Sequence, residues 1–277
     1  MSPRFLSPRL VERALRLGFA LLVAAIVGYV VLPAVVVAIA SLNASAILAF
    51  PPDGLSLRWY ATALGYRDFQ RGLVNSLIVM AIASTLAVAV GAAAALYIDR
   101  SGHRLRGLLE AVLVSPMVVP NFTIGLGFLI FAVEVGQART FGVVVVSHVV
   151  LVLPFVLRSI YVSLRNIDRR LERAAATLGA RPGRVFLEVT LPMMAPGIFA
   201  GWVFAAVLSF NEFTASLFVT ARSTKTLPVA MYDYVREYAD PTMAALSTLF
   251  IVTTVILVVL ANRLVGLDRI LTMESPR

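Results

Sequence analysis

Six stretches of this chain are apolar for long enough to cross a membrane, and nothing else in the sequence restricts the fold as severely. They lie near 17–40, 73–98, 108–133, 141–163, 195–219 and 242–262. A hydrocarbon core takes about 20 apolar residues of helix, and each run meets that length. A helix also pairs its own backbone groups, which a segment without access to water requires. The sequence therefore predicts an all-α integral membrane protein of six transmembrane helices, one domain over residues 1–277. Composition agrees: 60% of residues are hydrophobic and 14% charged, where a soluble domain carries about 25% charged residues.

The net charge of +9 raises nucleic acid as a partner, but 23 of the 24 basic residues are Arg spread over the ends of apolar runs. Membrane topology accounts for that placement and nucleic acid does not. With the N-terminus in the cytoplasm, the inner segments hold seventeen of the 24, including Arg4, Arg9, Arg13, Arg16, Arg263, Arg269 and Arg277. The outer segments hold the other seven, among them Arg58, Arg139 and Lys225. By the positive-inside rule both termini and the 166–192 loop are cytoplasmic. Arg4 to Arg16 before an apolar run resembles a signal peptide, but the run is about twice the usual 7 to 15 residues, so it reads as an uncleaved first span. Cysteine is absent, which excludes a disulfide framework and a Cys-ligated metal site.

The loop at 166–192, NIDRRLERAAATLGARPGRVFLEVTLP, is the long segment that cannot sit in a bilayer. Leu171, Ala174, Ala175 and Leu178 recur at three- and four-residue steps and mark one face of a short helix. Asp168 can cap its start. Gly179 can supply the left-handed residue that ends it, and Pro182 suits the first turn of a second short helix running to about Val189.

Counted from Arg173, the loop runs Arg-Ala-Ala, three residues, Gly179, nine residues, Val189, Thr190, Leu191, Pro192. This resembles the EAA loop of ABC-importer permeases, written EAA-x3-G-x9-I-x-L-P. Ala174, Ala175, Gly179, Leu191 and Pro192 match in register; Arg173 stands at the Glu position and Val189 at the Ile position. The resemblance implies the type I permease fold and a coupling role for Glu172, Arg173, Ala174, Ala175, Leu178, Gly179, Leu191 and Pro192. It further implies a multi-pass protein of the bacterial inner membrane that works with a dimer of ABC ATPase subunits, which bind the ATP and Mg, with a second, non-identical permease subunit and with a periplasmic substrate-binding protein.

Polar residues inside the apolar runs mark candidates for a solute path. In the third run Pro116 and Pro120 break the helical ladder, and Asn121 and Thr123 follow; such a break can line a pathway or be a packing kink. In the fifth run Glu212 is the ionisable residue, costing about 2.5 to 3.5 kcal/mol at membrane depth and so favouring an interior face. Taken as continuous helix, it lies about 22 Å beyond Gly197 at 1.5 Å per residue. Phe210 and Phe213 can form an apolar constriction around it, and Asn211 offers a hydrogen-bond partner. The stretch from Ser209 to Pro228 resembles permeases of the spermidine and putrescine importer group, which implies a cationic solute. Aminoalkylphosphonates, opines, thiamine and iron(III) complexes are carried by related permeases. His148, alone in the fourth run, suits one hydrogen bond between helices better than a ligand role.

No G-x-x-x-x-G-K-[ST], H-E-x-x-H or G-x-S-x-G occurs, so no catalytic residue is assigned, no metal site, and no cofactor in this chain. A secondary transporter would also show several spans and a buried acid, but its paired broken helices in mirrored halves are not found, and it leaves the long basic loop unexplained. A scaffolding membrane protein would not require the motif spacing.

Overall fold

The computed structural model describes residues 8–47 and 49–265; Arg4, Arg269 and Arg277 of the charge count lie outside them. The described chain is helical, with one isolated antiparallel bridge between Asn43 and Leu55. It forms two compact units, Met1–Leu64 with Tyr238–Ile251, and Gly65–Glu237 with Val252–Arg277.

In the first unit, α1 (Pro8–Ala40) exposes Phe19, Leu21, Tyr29 and Leu32 along its length. Such a surface is stable only against lipid or another apolar partner. The turn after it is built on Asn43, whose Nδ2 donates to the Ile47 carbonyl at 2.9 Å while its Oδ1 accepts from the Asp53 amide at 3.0 Å. Helix α2 (Arg58–Gly65) follows, with the Trp59 indole donating to the Asn43 carbonyl at 2.7 Å.

The second unit is organised around α3 (Arg67–Arg100), α6 (Phe141–Arg165) and α9 (Leu191–Phe210). Lipid offers no hydrophobic drive between helices, so close packing of small residues carries the association. On α3 the buried stripe is Ser76, Val79, Met80, Ala83, Ala87, Gly91 and Ala94, at helical steps. On α9 a Cβ at Gly197 would fall 2.4 Å from the Ser163 Cβ of α6, so the two backbones meet only because Gly is there. Ser159 also donates to the Gly197 carbonyl at 3.0 Å.

The third apolar run is not one kinked helix. It splits into α4 (Leu105–Val114), a 3-10 turn over Ser115–Met117, and α5 (Asn121–Glu134), with the two parts bent by 105°. Pro120 is the cause, since it cannot donate to the helix before it but serves as the extended residue that starts the helix after it. Among the described residues five helices are long and apolar enough to span a membrane, six if the bent pair counts as one span.

The fifth run needs a larger correction. Helix α7 (Arg169–Thr177) is followed by α8 (Pro182–Val185), a π turn over Phe186–Thr190, and α9 without interruption. The second short helix expected to stop near Val189 is instead the first part of the fifth span. That span ends at Phe210 rather than 219, and the chain resumes as α10 (Ser216–Val219), α11 (Leu227–Glu237) and α12 (Thr242–Val265).

Candidate functional site

Helix α9 stops where two polar side chains replace its backbone bonds. Asn211 turns its Nδ2 back onto the Val207 carbonyl at 2.8 Å, a local bond that competes with helix continuation. Glu212 follows outside the helix, so the distance measured along a continuous helix from Gly197 no longer applies. Its Oε1 accepts from the Ala215 amide at 2.8 Å, and its carbonyl accepts from the Ser216 hydroxyl at 3.0 Å. The carboxylate thus satisfies backbone that the break exposes, as irregular backbone at membrane depth requires.

The other carboxylate oxygen reaches the second break. Asn121, the first residue of α5, donates from Nδ2 to Glu212 Oε2 at 2.8 Å. The approach is set by Gly125, where a Cβ would lie 2.7 Å from Ala215 Cα and 2.9 Å from its carbonyl oxygen. Two interrupted membrane segments are therefore joined by one amide-carboxylate contact and one glycine.

Beside this contact is a cavity of about 140 Å³ bordered by Pro116, Met117, Asn121, His148, Phe155 and Glu212. His148 is buried on α6 and bonded at both ring nitrogens, Nδ1 with Ser209 Oγ and Nε2 with Ser216 Oγ, each at 2.8 Å. It ties α6 to both sides of the α9–α10 break. Its lining joins a carboxylate, an amide and an imidazole to Pro, Met and Phe side chains, a mixed surface suited to a small solute.

Of the path residues expected from sequence, the structure brings together Asn121 and Glu212. Phe210 is fully buried and Phe213 pairs with Tyr232 of α11, ring centroids 5.1 Å apart, and neither borders the cavity beside the carboxylate. Asn211 bonds to Val207 rather than to Glu212, and Thr123 is exposed on α5. Sequence reasoning missed Ser209 and Ser216 and gave His148 one bond where it has two. The available signal was a titratable residue set among Val and Leu in the first half of the run.

At the other end of α9 the 166–192 loop is built by its own local chemistry. Asp168 caps α7 by accepting from the Arg170 amide at 2.9 Å. Gly179 takes φ +87°, and the amides of Gly179 and Ala180 reach back to Ala176 and Ala175 at 3.0 and 3.1 Å. Those two bonds form a Schellman end, and Pro182 opens α8. Residues 173, 174 and 178 are exposed, Leu178 to 89%. Ala175 and Leu191 are half-buried and Pro192 exposed.

What holds α7 to the bundle is ionic. Asp99 accepts from Arg169 at 2.6 Å, and Arg100 donates to Glu172 at 2.5 Å. The buried Thr190 of the π turn donates to the same Glu172 oxygen at 2.5 Å. Helix α3, the loop helix and the root of α9 thus share one cluster, of which Asp99, Arg100 and Thr190 were not singled out from sequence.

Broken apolar helices around a small cavity of mixed lining, with a folded polar loop at the root of one span, fit a multi-pass transport protein. The chain belongs to the family described as the binding-protein-dependent transport system inner membrane component, which matches residues 87–267, and it is an ABC-importer permease subunit. It is 28% identical over 260 residues to the spermidine/putrescine transport system permease protein PotC of Escherichia coli (strain K12), covering 94% of this chain and 97% of that one. It is 34% identical over 206 residues to the putrescine transport system permease protein PotI of the same strain, covering 72% and 73%. The molybdenum transport system permease protein ModB of Mycobacterium bovis (strain ATCC BAA-935 / AF2122/97) is 33% identical over 206 residues, covering 69% and 77%. Among solved structures, a bacterial ABC transporter involved in import of the polysaccharide alginate matches with TM-score 0.70 at 15% identity, over 96% of this chain and 99% of that one. That likeness speaks to the fold, a type I permease.

Proposed function

We propose that the chain is a permease subunit of a bacterial inner-membrane importer for polyamines. Its one permease domain forms, with a second and non-identical permease, the path along which the solute passes by alternating access. The observation that carries the reading is Glu212, a carboxylate at the meeting of two helix breaks, bordering a cavity that also presents Asn121, His148 and Ser209 beside apolar side chains. The polyamine permeases PotC and PotI among its relatives support the same substrate class. An anionic cargo would meet the Glu212 charge, which weighs against taking the substrate from the molybdenum permease.

In this reading the 166–192 loop lies in the cytoplasm and docks on a separate ATPase dimer, which binds ATP and Mg, while a periplasmic binding protein delivers the solute at the other face. Coupling falls to Glu172, Arg173, Ala174, Ala175, Leu178, Gly179, Leu191 and Pro192. Glu172 acts from inside, by fixing α7 to α3 and Thr190.

The test is uptake of labelled spermidine and putrescine into vesicles holding the reconstituted importer, beside an anionic aminoalkylphosphonate. Glu212→Gln keeps the shape and one of the two accepting oxygens but removes the charge. Polyamine uptake is expected to fall about tenfold or more, equivalent to roughly 1.4 kcal/mol, with assembly and basal ATP hydrolysis retained. Unchanged polyamine uptake, or transport of the phosphonate alone by the wild type, removes the cationic reading.

A further inference from the structure

The resemblance to the EAA loop leaves a charge problem at Arg173, a cation where the motif has a carboxylate. Two resolutions exist: the neighbouring Glu172 supplies the missing charge to the partner, or the partner's own charge is reversed. The side-chain geometry separates them.

Glu172 is 21% exposed, and one of its oxygens is held by both Arg100 and Thr190 at 2.5 Å. Turning it outward would break both bonds and leave the Thr190 hydroxyl, on a fully buried residue, without this acceptor. Leaving a buried polar group unpaired is costly. Arg169, three residues before Glu172 and on the same side of the helix, is likewise taken by Asp99. That side of α7 belongs to the bundle.

Two other cations of the helix are not taken up in this way. Arg170 and Arg173 are three residues apart, both exposed, and neither guanidinium has a partner among the described residues. Next to them run Leu171, Ala174 and Leu178, also exposed. An exposed leucine strip edged by unpaired guanidinium groups fits an apolar groove with carboxylates on its rim.

We infer that Glu172 is an internal latch and that α7 presents Arg173, with Arg170, to a carboxylate on the docking groove of its ATPase. The contact keeps the site but reverses the polarity of the motif. Arg suits that role because its planar fork can bind a carboxylate in two places, and a basic groove would be repelled by it. This inference rests on the docking reading given above.

The experiment titrates the ATPase that copurifies with the wild-type permease back onto purified permease in nanodiscs of zwitterionic lipid. Arg173→Glu, Arg173→Ala and Leu178→Asp are compared with wild type. All three sites are exposed, so the permease itself should fold. Arg173→Glu should weaken binding by more than about tenfold and Arg173→Ala by less, and added salt should weaken the wild type more than Arg173→Ala. If Leu178→Asp loses binding while Arg173→Glu binds as tightly as wild type or tighter, docking stands and the reversed polarity is overturned. If neither change weakens binding, the docking reading fails and this inference with it. An Arg173→Glu effect seen only in nanodiscs containing anionic lipid would assign the guanidinium to a lipid headgroup and equally overturn the proposal.

Discussion

The two ends of the fifth span are held in opposite ways. At its root, α9 continues unbroken through a π turn into α8, and the neighbouring α7 is held by Arg169–Asp99 and Arg100–Glu172, pairs whose guanidinium ends are open to water while the Asp99 and Glu172 side chains are only 5% and 21% exposed. At its far end the helix stops, and the break is fixed by close contact of Gly125 with Ala215 and by bonds to Glu212 and His148. Ion pairs with one end in water are weakened by salt, whereas a misfit in a packed interior costs about 1 to 3 kcal/mol at any ionic strength. The root is held by charge and the break by fit.

The largest expected effect is at the break. Gly125→Val adds atoms where a Cβ alone would stand 2.7 Å from Ala215 Cα. It should lower stability by about 3 kcal/mol, read as a reduced unfolding midpoint in detergent, and separate Asn121 from Glu212. An unchanged midpoint would show that fit does not hold the break and would erase the contrast with the root.

Changes at the root should cost less. Gly179→Val forces a β-branched residue into the left-handed region, at about 1 to 2 kcal/mol, with the bundle intact. Protease cleavage at Arg181 should quicken and ATP-coupled uptake fall, while the unfolding midpoint moves little. A collapse of the midpoint would mean that the loop is part of the packed core. Smaller again is Asp168→Ala, which removes a helix cap worth about 1 kcal/mol. Amide exchange at Arg170 should accelerate roughly fivefold with exchange in α6 unaltered.

What was legible in the sequence followed the range of the physics. Asp168, Gly179 and Pro182 act on backbone within a few residues of themselves, and all three take the cap, bend and first-turn places that their chemistry dictates. Apolar length located the spans for the same reason. The end of α9 was illegible to hydropathy because Ser216–Val219 keeps the run apolar after the backbone has already turned. The stop is made by the side chains of Asn211 and Glu212, whose bonds depend on geometry. The Asn121–Glu212 contact joins residues 91 apart in sequence, and the ionic cluster joins the end of α3 to Thr190 across a separation of 90; no local pattern encodes either. Glu172 was noticed only as a neighbour of Arg173, because a motif records which residue is present and not which way it faces.

The π turn over Phe186–Thr190 sets the angular phase of the whole segment. It holds one residue more than an α turn, and each residue of α-helix is worth about 100° of rotation. The helix before it and the helix after it therefore keep separate clocks. Thr190 can face Glu172 while Gly197, downstream, faces Ser163 of α6. Removing a single residue within the turn would swing α8 by about 100° around the axis of α9 and leave every contact between α9 and α6 where it was. The loop's aim and the span's packing are thus set independently, and the extra residue sets the angle between them.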